Sequence, residues 1–127
     1  MNLTTIRRYA LDILDNINDG VFVTNKKRKI IYWNKAAEEI TGKTRKEVLN
    51  KSCYEVMNFP QNDQGKCLCE NNCPLLSTIK EGKAIKRYRT IFTKGEEKIT
   101  LEVSTSPIIN PLGQVLGGVA VFREIKD

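Results

Sequence analysis

Leu3, Ile6, Ala10, Ile13 and Ile17 are separated by alternating steps of three and four residues. That spacing predicts one helix over residues 1–18 whose apolar stripe packs on a flat partner or on its own copy. Asn18-Asp19-Gly20 ends it, and Val21-Phe22-Val23 reads as a strand. The charged turn Asn25 to Lys29 and the apolar run Ile30-Ile31-Tyr32-Trp33 complete a hairpin. Asn34 is a good N-cap for a short helix, Lys35 to Thr41, with Gly42 at the position that closes a helix. Thr44-Arg45-Lys46-Glu47 and Ser52-Cys53-Tyr54-Glu55 both match the S/T-x-x-E capping box, so each predicts the start of one more short helix.

A long polar loop over residues 58–72 follows, before Pro74 opens a helix that Gly82 ends. Ile85 to Thr93 reads as a strand with a turn at Lys94-Gly95-Glu96. Beyond it Ile99, Leu101 and Val103 alternate with Lys98, Thr100, Glu102 and Ser104, a strand with one buried and one wet face. Asn110-Pro111-Leu112-Gly113 is a turn, and the apolar run Val115 to Phe122 predicts a central strand buried on both faces. The order is helix, two strands, short helices, three strands, which makes the fold class α+β.

Length narrows this to one domain, since 127 residues bury a single core. With 40% hydrophobic and 28% charged residues the composition is that of a globular domain, and no apolar stretch approaches the ~18 to 20 residues of a membrane span. The start of the chain lacks a basic segment followed by an apolar one, so it reads as a cytoplasmic N-terminus with reduced cysteines. The net charge of +6 is spread among glutamates, so it reads as solvated surface; neither direct nucleic-acid binding nor membrane attachment is expected. The absence of histidine removes Ser-His-Asp and Cys-His catalysis, His-ligated zinc and His-ligated haem together. Gly42-Lys43-Thr44 imitates the end of a P-loop, but the required earlier glycine is Ala37. Gly113, Gly117 and Gly118 read as a turn and close sheet packing, and no catalytic pair of carboxylates stands out.

Taken with the element order, Asp19-Gly20-Val21-Phe22-Val23, Ile31-Tyr32-Trp33-Asn34-Lys35-Ala36-Ala37-Glu38 and Gly117 to Ile125 resemble a PAS domain of bacterial signalling proteins over nearly the whole chain. The resemblance implies a five-stranded antiparallel sheet with short helices on one face around a small ligand cavity. Residues 19–127 would then form the PAS domain, with residues 1–18 as an N-terminal dimerisation helix. It further implies a non-catalytic sensor, acting as a homodimer, that passes its state to a C-terminal effector such as a histidine kinase or a transcription regulator. The Asn-Cys-Arg-Phe-Leu-Gln run of light-sensing flavin PAS domains is absent, so Trp33 reads as core.

Four cysteines, Cys53, Cys67, Cys69 and Cys73, with 13, 1 and 3 residues between successive members, carry the sharpest chemical signal. The spacing matches neither a zinc pattern nor a ferredoxin run, so no metal can be named from it. Cys53 and Cys73 both fall at predicted helix starts, where free N–H groups would favour thiolate. A similar subset of PAS domains carries cysteines here, which implies an iron–sulfur or redox role. An iron–sulfur cluster or zinc on all four, reversible disulfide switching and inert cysteines all stand open. So does a PAS module with structural cysteines that binds a small metabolite among residues such as Ile99, Leu101 and Val103. A thiol oxidoreductase built on Cys67-Leu68-Cys69 lacks the βαβ setting of such enzymes.

Overall fold

The computed structural model describes residues 1–57 and 73–126. Its elements run α1 (Leu3–Arg8), α2 (Ala10–Asp15), β1 (Gly20–Asn25), β2 (Ile30–Trp33), α3 (Lys35–Thr41), α4 (Arg45–Val48), α5 (Cys53–Val56), α6 (Pro74–Glu81), β3 (Ile85–Lys94), β4 (Glu97–Ile109) and β5 (Val115–Ile125). The five strands form one antiparallel sheet in the order β2-β1-β5-β4-β3, so the last strand lies in the middle beside the first.

Local chemistry fixes the connections where the sequence locates them. In the β1–β2 turn, Asn25 Oδ1 accepts from the N–H groups of Lys27 and Lys29 at 2.9 and 3.0 Å, an Asx-type turn. Asn34 caps α3 by accepting from Ala37 N–H at 2.9 Å, and Gly42 closes the helix at φ +75°, a left-handed conformation that suits glycine. Thr44 and Glu47 form the reciprocal box that starts α4. Gly82 ends α6 with φ +68°.

Helix α3 packs on β1 and β5, and α6 packs on β3, β4 and β5. Between helices and sheet lies the core. Phe22 stacks on Trp33 with centroids 5.7 Å apart, and Phe122 tilts against both at 6.1 Å. Trp33 is a core residue, its indole N–H donating to Lys43 O at 3.0 Å. Ile99, Leu101, Val103 and Thr105 of β4 are buried as the alternation requires. The two glycines of β5 mark close packing: a Cβ on Gly117 would lie 2.0 Å from Thr24 O, and one on Gly118 would lie 2.7 Å from Leu75 Cδ1.

Three expectations are corrected. The N-terminal helix is two short helices, broken at Tyr9 (φ −108°, ψ 20°), and neither buries a residue. Ser52 is the N-cap of α5, its carbonyl accepting from Glu55 and Val56 N–H at 3.1 Å, but it makes no capping box with Glu55; its hydroxyl instead accepts from Lys29 Nζ at 3.0 Å and its backbone bridges to Lys29. Strand β5 is central but not buried on both faces, for Leu116 is exposed and Val119 and Val121 are half-buried; the core-forming helices cover only one side of the sheet.

Candidate functional site

Two of the four predicted site residues, Cys53 and Cys73, are described, and Cys67 and Cys69 lie outside the described residues. Cys53 opens α5. Its position is set by the segment before it, which runs beside the start of β2: Asn50 N–H donates to Ile30 O at 2.8 Å, Ile30 N–H to Lys51 O at 2.9 Å, and Cys53 N–H to Arg28 O at 2.9 Å. Asn50 and Arg28 reach this geometry with φ +66° and +62°, left-handed conformations that an asparagine adopts more readily than an arginine. The Arg28 guanidinium lies 4.6 Å from the Tyr54 ring centroid. Cys73 sits at the N-cap of α6, where Pro74 takes the first helical position and Ser77 N–H donates to Cys73 O at 3.1 Å.

Both cysteines line one cavity of about 50 Å³ between α5, α6 and the sheet, walled also by Phe22, Met57, Tyr88 and Phe122. Such a space admits a water-sized guest or a few light atoms, well short of the several hundred Å³ of a metabolite pocket. Val103 reaches its wall, whereas Ile99 and Leu101 are plain core.

The thiolate expectation fails for Cys53. Burial pushes its thiol from 9.0 up to about 12, and the neighbouring Cys73 adds to the rise. Arg28 and the N–H groups of Tyr54 and Cys53 itself pull the other way, so the effect of the helix start is present but smaller than the desolvation. In the free protein Cys53 is therefore a neutral, buried thiol. Among the described residues no group of three or more His, Cys, Asp or Glu side chains could hold a metal ion.

Two features escape a reading of sequence spacing. Asn34 is fully buried and ties four segments together: Oδ1 accepts from Val21 and Ala37 N–H at 2.8 and 2.9 Å, and Nδ2 donates to Leu14 and Asp19 O at 2.9 and 3.0 Å. The buried hydroxyls of Thr78 on α6 and Thr105 on β4 are 2.7 Å apart, a polar link between the helix that follows Cys73 and the sheet. The signal that could have found Asn34 is its place directly after an apolar strand; nothing in the sequence marks Thr78 and Thr105 as partners.

A family profile described as the PAS fold matches residues 11–125. The signal transduction histidine-protein kinase AtoS of Escherichia coli (strain K12) is 26% identical over 113 residues, which are 89% of this chain and 17% of the kinase, so the chain spans only a small part of that relative's length. Among solved structures, a PAS domain from Colwellia psychrerythraea superposes with a TM-score of 0.74 at 18% identity, covering 98% of both chains. The PAS domain of nitrogen regulation protein NR(II) from Vibrio parahaemolyticus gives 0.70 at 23% identity, covering 91% of this chain and 97% of that one. An RNA-binding light-oxygen-voltage receptor gives 0.78 at 19% identity, covering 98% of this chain and 34% of the receptor. With a five-stranded antiparallel sheet in the order β2-β1-β5-β4-β3 and a profile match over most of its length, this chain belongs to the PAS family.

Proposed function

We propose that this domain is a non-catalytic sensory PAS module of a bacterial signalling protein, and that it responds to redox state or to a metal or iron–sulfur cluster through Cys53, Cys67, Cys69 and Cys73. The observation that carries this reading is the meeting of Cys53 and Cys73 at one apolar cavity although they belong to separate helices. The confinement of all four cysteines to residues 53–73 of the sequence adds weight. Sulfur suits the setting: a soft cation or cluster neutralises thiolates that an apolar wall would otherwise disfavour. The raised Cys53 thiol then sets a direction, since binding a cation must release its proton and is disfavoured as pH falls.

A change at the cysteines has a short route outward. Cys73 is the cap of α6, and α6 reaches the sheet through the Thr78–Thr105 contact and through Leu75 and Ile79 against Gly118. Strand β5 then leads to Ile125, beyond which an effector such as a histidine kinase or transcription regulator would receive the signal. The module would act as a homodimer through α1 and α2, whose Leu3, Ile6 and Ile13 are exposed, as is Ile17 just past the end of α2. Binding of a small metabolite to the core, with structural cysteines, is the alternative; the 50 Å³ cavity would have to widen for it, as it would for a cluster, whereas a single cation needs no such change.

The test is purification under anaerobic conditions with analysis of iron, sulfide and zinc, on the chain as given and on a Cys53→Ser, Cys73→Ser variant. Metal present in the first and lost from the second supports the reading. Cysteines that stay metal-free and unchanged by oxidant, with a small molecule found by native mass spectrometry, overturn it in favour of the metabolite.

A further inference from the structure

Cys73 stands between two spaces. On one side it lines the buried cavity under α5 and α6; on the other it lines a surface groove of about 400 Å³ beside Leu76, Ser77, Lys80 and Ile85. It is half-buried, as a wall shared by an inner and an outer space must be. Cys53 differs. Only 5% exposed, it lines the cavity and not the groove. The two thiols reach the same cavity from separate helices, Cys53 as the first residue of α5 and Cys73 as the residue before Pro74 of α6.

Among the described residues that line the cavity none is a carboxylate, a lysine or an arginine. A wall of that kind gives a lone thiolate no charged partner, whereas a disulfide carries neither charge nor proton donor and suits an apolar setting. Two cysteines are also all that such a bond requires.

We propose that Cys53 and Cys73 form a reversible disulfide across this cavity, with Cys73 as the thiol that an outside oxidant reaches and Cys53 as the thiol that completes the bond. The inference deepens the redox reading above and rests on it, but needs no metal and no residue of 58–72. The oxidant is a small disulfide of the glutathione class. Cys73, as thiolate, attacks one of its sulfurs; a mixed disulfide forms, the small disulfide's S–S bond breaks, and one thiolate leaves and takes up a proton from water. Cys53 then attacks the Cys73 sulfur, the protein disulfide forms, and the second small thiol departs with the proton that Cys53 gives up. Two protein thiols are thus oxidised to one disulfide, and one small disulfide is reduced to two thiols.

The bond requires the two Cα atoms to lie within about 7 Å of each other, so oxidation ties the start of α5 to the cap of α6. Helix α6 in turn meets β4 through the Thr78–Thr105 contact and β5 through Leu75 and Ile79 against Gly118. Oxidation therefore fixes the helix that covers the middle of the sheet, and reduction releases it.

The probe is oxidised glutathione, added to the reduced chain after metal has been removed with a chelator. The protein is then unfolded in an alkylating reagent and digested for peptide mass mapping. The expected product is a peptide pair joining Cys53 to Cys73 that dithiothreitol separates. At early times glutathione should sit on Cys73 and not on Cys53, and a Cys53→Ser, Cys67→Ser, Cys69→Ser variant should retain it on Cys73. Glutathione found first on Cys53, or absent from Cys73 in that variant, overturns the assigned order of attack. A Cys53 that is alkylated as a free thiol in the oxidised parent overturns the disulfide; if other cysteines have paired, or the untreated chain carries iron or zinc, the cysteine reading of the domain still stands. Four free thiols in a chain that also carries no metal overturn both.

Discussion

Arg45 Nη2 donates to Asp15 Oδ1 at 2.7 Å, joining α4 to the last residue of α2. The same carboxylate oxygen accepts from the Tyr32 hydroxyl at 2.8 Å and from Lys35 N–H at 3.2 Å, and the guanidinium lies over the Tyr32 ring at 5.3 Å. Helices α1 and α2 bury no residue of their own, so this cluster and the Asn34 bond to Leu14 O hold them to the domain. Asp15→Ala is expected to cost only about 1 kcal/mol overall, because both charged side chains are partly exposed. It should nevertheless free residues 3–15, raising their amide exchange well before the sheet is affected. Unchanged exchange there would show that something other than Asp15 holds the helices.

The Cys53 thiol gives the reduced, metal-free protein an alkaline weakness. Its folded value is raised above 9.0, to about 12, so the folded chain keeps a proton that the unfolded chain releases. The associated stability is fully present below about pH 9 and is lost as pH rises through about 12, at about 1.4 kcal/mol per pH unit where only this group differs. Tyr32, raised from 10.0 to about 12 by burial and by its bond to Asp15, adds to the loss above pH 10. Urea unfolding at a series of alkaline pH values should therefore show a flatter decline for Cys53→Ala than for the parent. Parallel declines would mean that the thiol is more solvated than its packing indicates.

Thr78 and Thr105 form a pair whose halves depend on each other. Either single change to valine leaves one buried hydroxyl without its partner and is expected to cost about 1–3 kcal/mol, whereas the double change should cost much less than the sum. A double-mutant cycle by chemical unfolding measures this. Additive losses would show that the two hydroxyls do not interact. If α6 carries the signal, the double variant should also blunt any oxidant- or metal-dependent change in protection of β5.

Much of the fold is legible from residues that act locally. Asn34 and Gly42 bracket α3 because a cap and a left-handed closing residue are decided by a few neighbouring atoms, and the same holds for Thr44 with Glu47 and for Gly82. Where an expectation fails, a distant contact has intervened. Ser52 satisfies the capping pattern but is drawn to Lys29, 23 positions away. The apolar run of β5 reads as buried on both faces, yet burial depends on what lies above each face, which spacing does not encode. Cys53 does begin a helix, but the depth of its burial, not the helix start, decides its protonation. Tyr88 lies within the basic run Lys86 to Arg89, and only its pairing with Val103 reveals that it packs, half-buried, against the core at the cavity that Cys53 and Cys73 also line.

The exposed apolar positions of α1 and α2 carry the dimer expectation in spite of the break at Tyr9. Ile6→Glu with Ile13→Glu should convert a dimer into a monomer in light scattering at high micromolar concentration, with the sheet's thermal transition little changed. A monomeric parent, or a variant of unaltered mass, would rule out this interface.

The pairing of β1 with β5 sets Gly20 opposite Phe122, so the chain enters and leaves the sheet on adjacent strands at the same end, with β5 running on past that pair to Ile125. A unit with its doorways side by side can be spliced into a longer polypeptide as a cassette without forcing the flanking segments apart. Incoming and outgoing connectors would then run as neighbours, and a small rotation of β1 against β5 would twist one against the other like a pair of shafts sharing a bearing.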